Sequence, residues 1–255
     1  MNVFLELFDP EDMLTLHIVP QLAMSLVVMA IVLIGAIILG IAFRRADPLK
    51  EPKGIVLIGV IYFNAMEDFT VSIMGEKNRG FAKYIMVLAP YILLCFLIGL
   101  TGLWNPITYV IVPFSVALVT FIMIHVQAVK TNHWGYFKRY IDPMPLFLPI
   151  NLLSMWAPLL SLALRLFGNA LSGFCIMSIV YFGLENLATM ISGFSGAGSI
   201  WIAPIITPFL HLYFDLFSGC IQTLVFCMLT MIYIYQEQND EDESDVIEEA
   251  SYVKG

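Results

Sequence analysis

The stretch "LSLALRLFGNALSG" (residues 160–173) places one arginine, Arg165, inside an apolar run that contains no carboxylate. A guanidinium cannot lose its proton inside a protein, so this side chain carries a permanent charge. On insertion scales an ionised side chain at the centre of a membrane helix costs roughly 2.5–3.5 kcal/mol. If this run lies in a membrane, Arg165 therefore indicates an ion pathway or a charge partner.

Composition assigns the chain to the integral membrane proteins. Hydrophobic residues make up 60% of its 255 residues and charged residues only 13%, and the mean hydropathy is +0.86. Soluble globular domains are less apolar than this. The formal charge of −8 arises mainly from residues 6–12 and 236–250, so nothing favours a nucleic acid as partner. The four cysteines form no CxxC pair and have no histidine at metal-ligand spacing, so we expect neither a metal site nor a cofactor.

The hydropathy pattern predicts an all-α integral membrane protein with five membrane-crossing helices plus one interfacial or re-entrant helix. We expect a single membrane domain, residues 22–236, after an external N-terminal segment, residues 1–21, and before an acidic cytoplasmic tail, residues 237–255. In the second helix the apolar run ends at Phe63 and is too short to cross a bilayer. The predicted helices are residues 22–43, 55–75 (interfacial), 82–103, 107–128, 144–190 and 200–236.

The last two helices are far longer than the ~20 residues of one perpendicular crossing. We expect them to be strongly tilted, to lie partly along the membrane, or to break at a proline. The prolines in question are Pro149, Pro158, Pro204 and Pro208.

The distribution of Lys and Arg predicts the orientation. The N-terminus and the turns at residues 103–106 and 192–199 contain no Lys or Arg, whereas the other connections are basic. With five crossings, the positive-inside rule places the N-terminus outside and the C-terminus in the cytoplasm. The basic residues that decide this are Arg44, Arg45, Lys50, Lys53, Lys77, Arg79, Lys83, Lys130, Lys138 and Arg139.

Each of the two long helices carries one polar stripe, and the two stripes share the same spacing. Their members fall at offsets 0, 4, 7, 8 and 11, which is one face of an α-helix. The first stripe consists of Ser161, Arg165, Gly168, Asn169 and Ser172. The second consists of His211, Asp215, Ser218, Gly219 and Gln222.

These stripes have more than one explanation. Serines and glycines also pack together wherever two membrane helices approach closely. Arg165 and Asp215 could form a static buried ion pair, and His211 could be a satisfied packing residue one turn from Asp215. The alternative is ion translocation, in which these charged and titratable side chains take part.

"SLALRLFGNALSG" together with "IQTLVFCMLTMIY" (residues 221–233) closely resembles the two signature helices of subunit a, the ion-conducting stator subunit of F-type ATP synthases. The order of elements matches that family over nearly the whole chain. The resemblance implies a non-catalytic subunit whose complex performs nucleotide chemistry elsewhere. It also implies four kinds of partner: the c-ring, the peripheral-stalk b subunits, other subunits of the F-type ATP synthase, and membrane lipid. It implies a bacterial plasma membrane in preference to a mitochondrial inner membrane.

The resemblance also assigns roles. In that family the arginine at the position of Arg165 faces each passing c-ring carboxylate, and its fixed charge favours the ionised form. Two access paths that open on either side of this arginine force protons to travel around with the ring. The resemblance also implies that Asn169 lines the site around Arg165 and that Gln222 holds this arginine by a hydrogen bond. It implies that Asp215 is the proton relay of the outer half-channel. Ion-binding ligands in the family lie mostly on the ring, so this chain does not distinguish H⁺ from Na⁺.

Three places depart from the pattern common in that family. Phe174 stands nine residues after Arg165, where many members carry a titratable residue. Ser154 and Met155 stand where relatives commonly place a Glu, and Phe96 replaces a common Asn. The first two departures predict a thinner polar lining of the ion paths.

Two other function classes predict different features. A secondary transporter whose Arg165 binds an anionic substrate predicts an inverted repeat and broken helices, and the sequence has no evident repeat. A structural scaffold predicts only an incidental Arg–Asp pair. For the acidic tail we expect a solvated, disordered segment, with a contact to basic surfaces of cytoplasmic partners as the alternative.

Overall fold

A computed structural model describes residues 19–46, 52–132, 148–192 and 203–252, and all long elements in these ranges are helices. Six of them are long and apolar enough to cross a membrane, so the chain is an all-α membrane protein. Because α2 also meets this length, the division into five crossings and one interfacial helix stays a prediction. The helices are α1 (Pro20–Arg45), α2 (Ile55–Met74), α3 (Ala82–Leu100), α4 (Ile111–Asn132), α5 (Leu148–Ser192) and α6, which joins Ala203–His211, a π-helical segment Leu212–Phe217 and Ser218–Tyr252.

The connection between α3 and α4 is longer than predicted. α3 ends at Leu100, three residues early, and the chain turns through Gly102, whose φ is 76°. The side-chain oxygen of Asn105 accepts the Ile107 N–H at 3.0 Å and starts a short 3₁₀ turn. An asparagine that bonds its own backbone in this way competes with a helix, so α4 begins at Ile111 and not at residue 107.

The prolines do not break the long helices. α5 runs unbroken through Pro158, and the helical course of α6 continues through Pro208. Pro149 and Pro204 lie in the first turns of α5 and α6, where a missing N–H costs no hydrogen bond. With 45 residues, α5 is about 68 Å long against a bilayer core of about 30 Å. Strong tilt therefore remains our prediction for α5.

The acidic tail continues the last helix. The backbone of α6 is helical as far as Tyr252, about four turns beyond the predicted end at residue 236. This differs from the disordered segment that its composition suggests. Glutamate is a good helix former, which accounts for part of the difference.

The core is formed mainly where α4 packs against α5 and α6 and where α3 packs against α6. The buried side chains recur every three or four residues, so each of these helices buries one face. By contrast, α1 buries only Ser25 and Val28 and exposes apolar side chains on its other sides, as expected of a helix in contact with lipid. The largest fully buried side chains include Ile85, Ile92, Phe96, Leu159, Leu162, Leu166, Phe226, Met231 and Ile234.

Glycine at position 219 brings α6 against α3. A Cβ added to Gly219 would lie 2.7 Å from the Cβ of Phe96 and 2.9 Å from its Cγ. Real Cβ atoms do not approach so closely, and a Cβ cannot move without its backbone. Phe96, which stands where the family commonly has an asparagine, therefore requires a glycine at position 219 opposite it.

We predict that Gly219→Ala lowers the free energy of unfolding by about 1–3 kcal/mol, because the extra methyl group overpacks the interface between α3 and α6. Gly183→Ala is the matched control, since no atom lies within 4 Å of its Cβ position. That variant should be neutral or more stable by about 0.4–1 kcal/mol. Thermal unfolding of the purified chain in detergent measures the difference, and equal melting of the two variants would contradict the close approach.

Candidate functional site

The site lies where α5 and α6 run antiparallel to each other. Ser218 donates a hydrogen bond to the side-chain oxygen of Asn169 at 2.9 Å. Four residues further along α5, a Cβ added to Gly173 would lie 3.6 Å from the Cβ of Phe214, four residues earlier on α6. These two contacts set the register of the helix pair. Four residues before Asn169 on α5 and four residues after Ser218 on α6, the same register places residue 165 at the level of residue 222.

Arg165 has no counter-charge in the part of the chain that the structure describes. Its side chain is half-buried, and its Nη2 lies 3.5 Å from the Oγ of Ser161, one turn earlier on α5. Asp215 is seven residues from Gln222 and therefore about 10 Å from the level of Arg165 along the helix axis. The static Arg165–Asp215 ion pair considered above does not form.

Gln222 is one of the few buried polar side chains of α6. It is 9% exposed, and its Nε2 has no hydrogen-bond partner among the described residues. The register places it opposite Arg165, as the resemblance implies, but no direct hydrogen bond joins the two side chains. A buried amide without a hydrogen-bond partner costs about 1–3 kcal/mol. A group outside the described residues that accepts this hydrogen bond would remove that cost.

Asp215 lies in the π-helical segment and contacts a histidine. Its Oδ2 lies 2.8 Å from the Nδ1 of His211, and the Nε2 of His211 lies 3.4 Å from the hydroxyl of Tyr181 on α5. The side chain of Asp215 is 19% exposed and that of His211 35% exposed. A carboxylate, an imidazole and a phenol thus form one hydrogen-bonded series that joins α5 to α6.

The turn between α3 and α4 contributes the other wall around Asp215. A Cβ added to Gly99 would lie 3.3 Å from the Oδ1 of Asp215 and 3.3 Å from the Nδ2 of Asn105. A Cβ at position 99 would require the carboxylate of Asp215 or the amide of Asn105 to shift by a few tenths of an ångström. Because the oxygen of Asn105 is held by the Ile107 N–H, its amide nitrogen is the group that faces this space.

The structure brings together three pairs of the residues predicted from spacing and leaves others apart. The pairs are Ser161 with Arg165, Asn169 with Ser218, and His211 with Asp215. Ser172 is exposed and bonds the backbone carbonyl of Asn169 on its own helix.

Three residues near Asp215 were missed. Tyr181 lies sixteen residues after Arg165, about 160° around a regular α-helix, so it falls outside the first stripe and its spacing gave no signal. Gly99 and Asn105 carried no signal in the sequence, because only the tertiary structure brings them to Asp215.

The chemistry available at this site is proton and charge handling. An imidazole bonded to a carboxylate can accept a proton at one nitrogen and release one at the other. Within the described ranges no three His, Cys, Asp or Glu side chains lie close enough to hold a metal ion.

Comparison with known proteins identifies the family. The model of the "ATP synthase A chain" family matches residues 22–235. The ATP synthase subunit a of Mycoplasma pneumoniae is 34% identical over 229 residues, which cover 84% of this chain and 77% of the relative. That of Syntrophobacter fumaroxidans is 30% identical over 203 residues, 77% of each chain. The sodium ion specific subunit a of Propionigenium modestum is 36% identical over 126 residues, 49% of this chain and 37% of its own. With the match extending over nearly all of its membrane helices, the chain belongs to the ATP synthase A chain family.

Proposed function

We propose that this subunit a is the ion-translocating stator of a rotary ATP synthase and that Arg165 separates two half-channels. The observation that carries the proposal is a permanent charge that has no counter-charge within the described chain. Arg165 lies half-buried at the level of the buried Gln222, about 10 Å from the nearest carboxylate of α6 along the helix axis. A carboxylate delivered by another subunit completes this arrangement.

The surface beside Arg165 supports a moving partner. Leu164 and Leu171 are exposed on α5, and Gly168 lies between them with no atom of the described residues within 4 Å of its Cβ position. A neighbouring helix can therefore approach the α5 backbone within one turn of the guanidinium. The c-ring is the partner we propose for this surface, because each of its helices would present one carboxylate to Arg165.

The charge of Arg165 sets the order of events at this surface. A guanidinium opposite a carboxylate favours its ionised form, so each rotor site releases its proton as it arrives and regains one only after it leaves. Protons then cross the membrane only by travelling with the ring. Each elementary charge moved through 100 mV contributes about 2.3 kcal/mol, and several such steps together drive one ATP synthesis.

Asp215 is the residue we propose as the relay of the outer half-channel. Its carboxylate is partly exposed and lies beside the turn between α3 and α4. This is the end of α3 that we predict to face outward. Protons entering here reach the rotor on one side of Arg165, at a different depth from the guanidinium.

We propose an interfacial course for α2 because its apolar run ends at Phe63 and is too short to cross a bilayer. The Tyr62 hydroxyl donates to the Met86 carbonyl at 2.8 Å, early in α3, while Met74 is linked to the start of α3 by one short 3₁₀ turn. The intervening 3₁₀ segment, Glu76–Phe81, adds about 12 Å, so Tyr62 and Met86 both lie about 20 Å along the chain axis from Gly75, and this hydrogen bond holds α2 beside α3. In addition, Arg79 forms an ion pair with Glu67 of α2, which suits a polar level.

With α2 interfacial, the chain crosses the membrane five times. We propose that its N-terminus lies outside and its C-terminus in the cytoplasm of a bacterial cell, where the peripheral-stalk b subunits and other subunits of the enzyme meet it.

Replacing Arg165 tests the central proposal. In vesicles that contain the assembled enzyme, we expect Arg165→Ala to abolish ATP synthesis driven by a proton gradient while the complex still assembles. The measurements are ATP formation, passive proton leak, and co-purification of the c subunits. Ser178→Ala is the control, because Ser178 is exposed and bonds only a carbonyl of its own helix. Normal ATP synthesis driven by the proton gradient in Arg165→Ala would contradict the proposal.

Replacing Asp215 tests the outer half-channel. Asp215→Asn keeps the shape but cannot take up a proton, so we expect proton conduction to fall by about 10²-fold or more. Asp215→Glu should retain part of the conduction. Vesicles stripped of the catalytic sector give the rate directly, and normal conduction by the asparagine variant would exclude Asp215 as the relay.

Single cysteines test the topology. In a variant lacking the four native cysteines, new ones are placed at Thr101, Lys53 and Lys77, all exposed in the structure. An impermeant maleimide should label Thr101→Cys from outside and should label both Lys53→Cys and Lys77→Cys only after the cells are permeabilised. Labelling of the last two from opposite sides would mean that α2 crosses the membrane.

A further inference from the structure

We propose that Tyr181 and His211 form the entrance of the outer proton path and that His211 delivers protons to Asp215. This inference rests on the proposed function, because it names the residues that serve the Asp215 relay. It assigns a proton-transfer role to a tyrosine and a histidine that lie on different helices.

The contacts of the imidazole carry the proposal. Both ring nitrogens of His211 are engaged, Nδ1 with Asp215 at 2.8 Å and Nε2 with Tyr181 at 3.4 Å. An ionised carboxylate only accepts hydrogen bonds, so Nδ1 carries the proton and Nε2 presents its lone pair to the tyrosine hydroxyl. The ring is therefore oriented to take a proton from one side and give one to the other.

Exposure falls along the series in the direction that an entrance requires. Tyr181 is exposed, His211 is intermediate, and Asp215 is the least exposed of the three. Tyr181 is also sixteen residues beyond Arg165, about 24 Å further along α5 towards the connection with α6. The series thus leads from the surface towards Asp215 and ends before the level of the arginine.

The backbone gives a second, independent indication. The π-helical segment Leu212–Phe217 starts directly after His211 and contains Asp215. π-helical turns are rare and occur frequently at functional sites. Beside this segment, Gly99 and Asn105 surround the carboxylate and bring no ionisable group, so His211 is its titratable neighbour among the contacts described.

The transfer balances as follows. The Tyr181 hydroxyl accepts a proton from water and donates its own proton to Nε2 of His211. The imidazole of His211 thereby becomes an imidazolium. The Nδ1 proton then moves to Oδ2 of Asp215, and the ring is neutral again with its proton on Nε2. Water that removes the Nε2 proton and returns one to Nδ1 restores the starting tautomer. The net change is one proton moved from water to the carboxylate.

The experiment uses the assembled enzyme in vesicles and measures passive proton conduction after the catalytic sector is removed. We expect His211→Ala to lower conduction about tenfold or more, and imidazole added to the outer solution to restore it, because a free imidazole can occupy the vacated space. We expect Tyr181→Phe to lower conduction several-fold. Tyr213→Phe is the matched control on α6, since Tyr213 is exposed and its polar and ring contacts among the described residues are ring contacts with Phe214 and Phe217.

Two results would overturn the inference: conduction at the normal rate in both His211→Ala and Tyr181→Phe, or a loss in His211→Ala that imidazole does not repair although the complex assembles. If His211→Ala fails to assemble, His211→Gln replaces it, since glutamine can bond Asp215 but cannot carry a second proton. The Asp215→Asn variant separates the two proposals. If it blocks conduction while the His211 and Tyr181 variants conduct normally, only this inference fails; if it conducts normally, the proposed outer half-channel fails.

Discussion

The uncompensated charge of Arg165 is the constraint on which the rest of the arrangement depends. A buried charge normally has an ion-pair partner or shifts its pKa until it is neutral, and a guanidinium can do only the first. Within the described chain Arg165 contacts a serine hydroxyl one turn away and no carboxylate. The free energy that inserts this helix must therefore come from the apolar length of α5 and from its packing on the core. A counter-charge supplied by another subunit would lower the cost further, which ties the stability of this surface to assembly.

Close packing at glycines holds the two polar regions in their places. Gly219 lies against Phe96, Gly173 lies against Phe214, and Gly99 lies against Asp215. A Cβ at position 219 or 99 would force its neighbour to shift, whereas one at position 173 would make an ordinary van der Waals contact. Without a hydrophobic driving force between helices in lipid, small residues of this kind are what allow membrane helices to approach closely. The depth of Asp215 relative to Arg165 is therefore a consequence of packing.

How much was predictable from the sequence depends on the range of the interaction. Contacts within one helix follow from spacing alone, so the pairs Ser161–Arg165 and His211–Asp215 were predictable at four residues apart. The six apolar segments were equally visible from their length. Contacts between helices distant in sequence have no such signature, and so Gly99 and Asn105 beside Asp215 were missed. The π-helical segment was missed as well, because the offset pattern assumes a regular α-helix throughout.

The separation between Arg165 and Asp215 has an energetic meaning that a direct ion pair would remove. At an effective dielectric constant of about 20, opposite unit charges attract by about 4 kcal/mol at 4 Å but by only about 1.7 kcal/mol at 10 Å. The closer pair would hold the carboxylate ionised and keep the guanidinium occupied. With about 10 Å between the two levels along the helix axis, Asp215 has His211 as its close polar contact, and most of the field of the guanidinium acts outside the chain. The separation thus leaves Asp215 to its histidine contact and leaves Arg165 to a partner outside the chain, as the proposed relay and the proposed barrier each require.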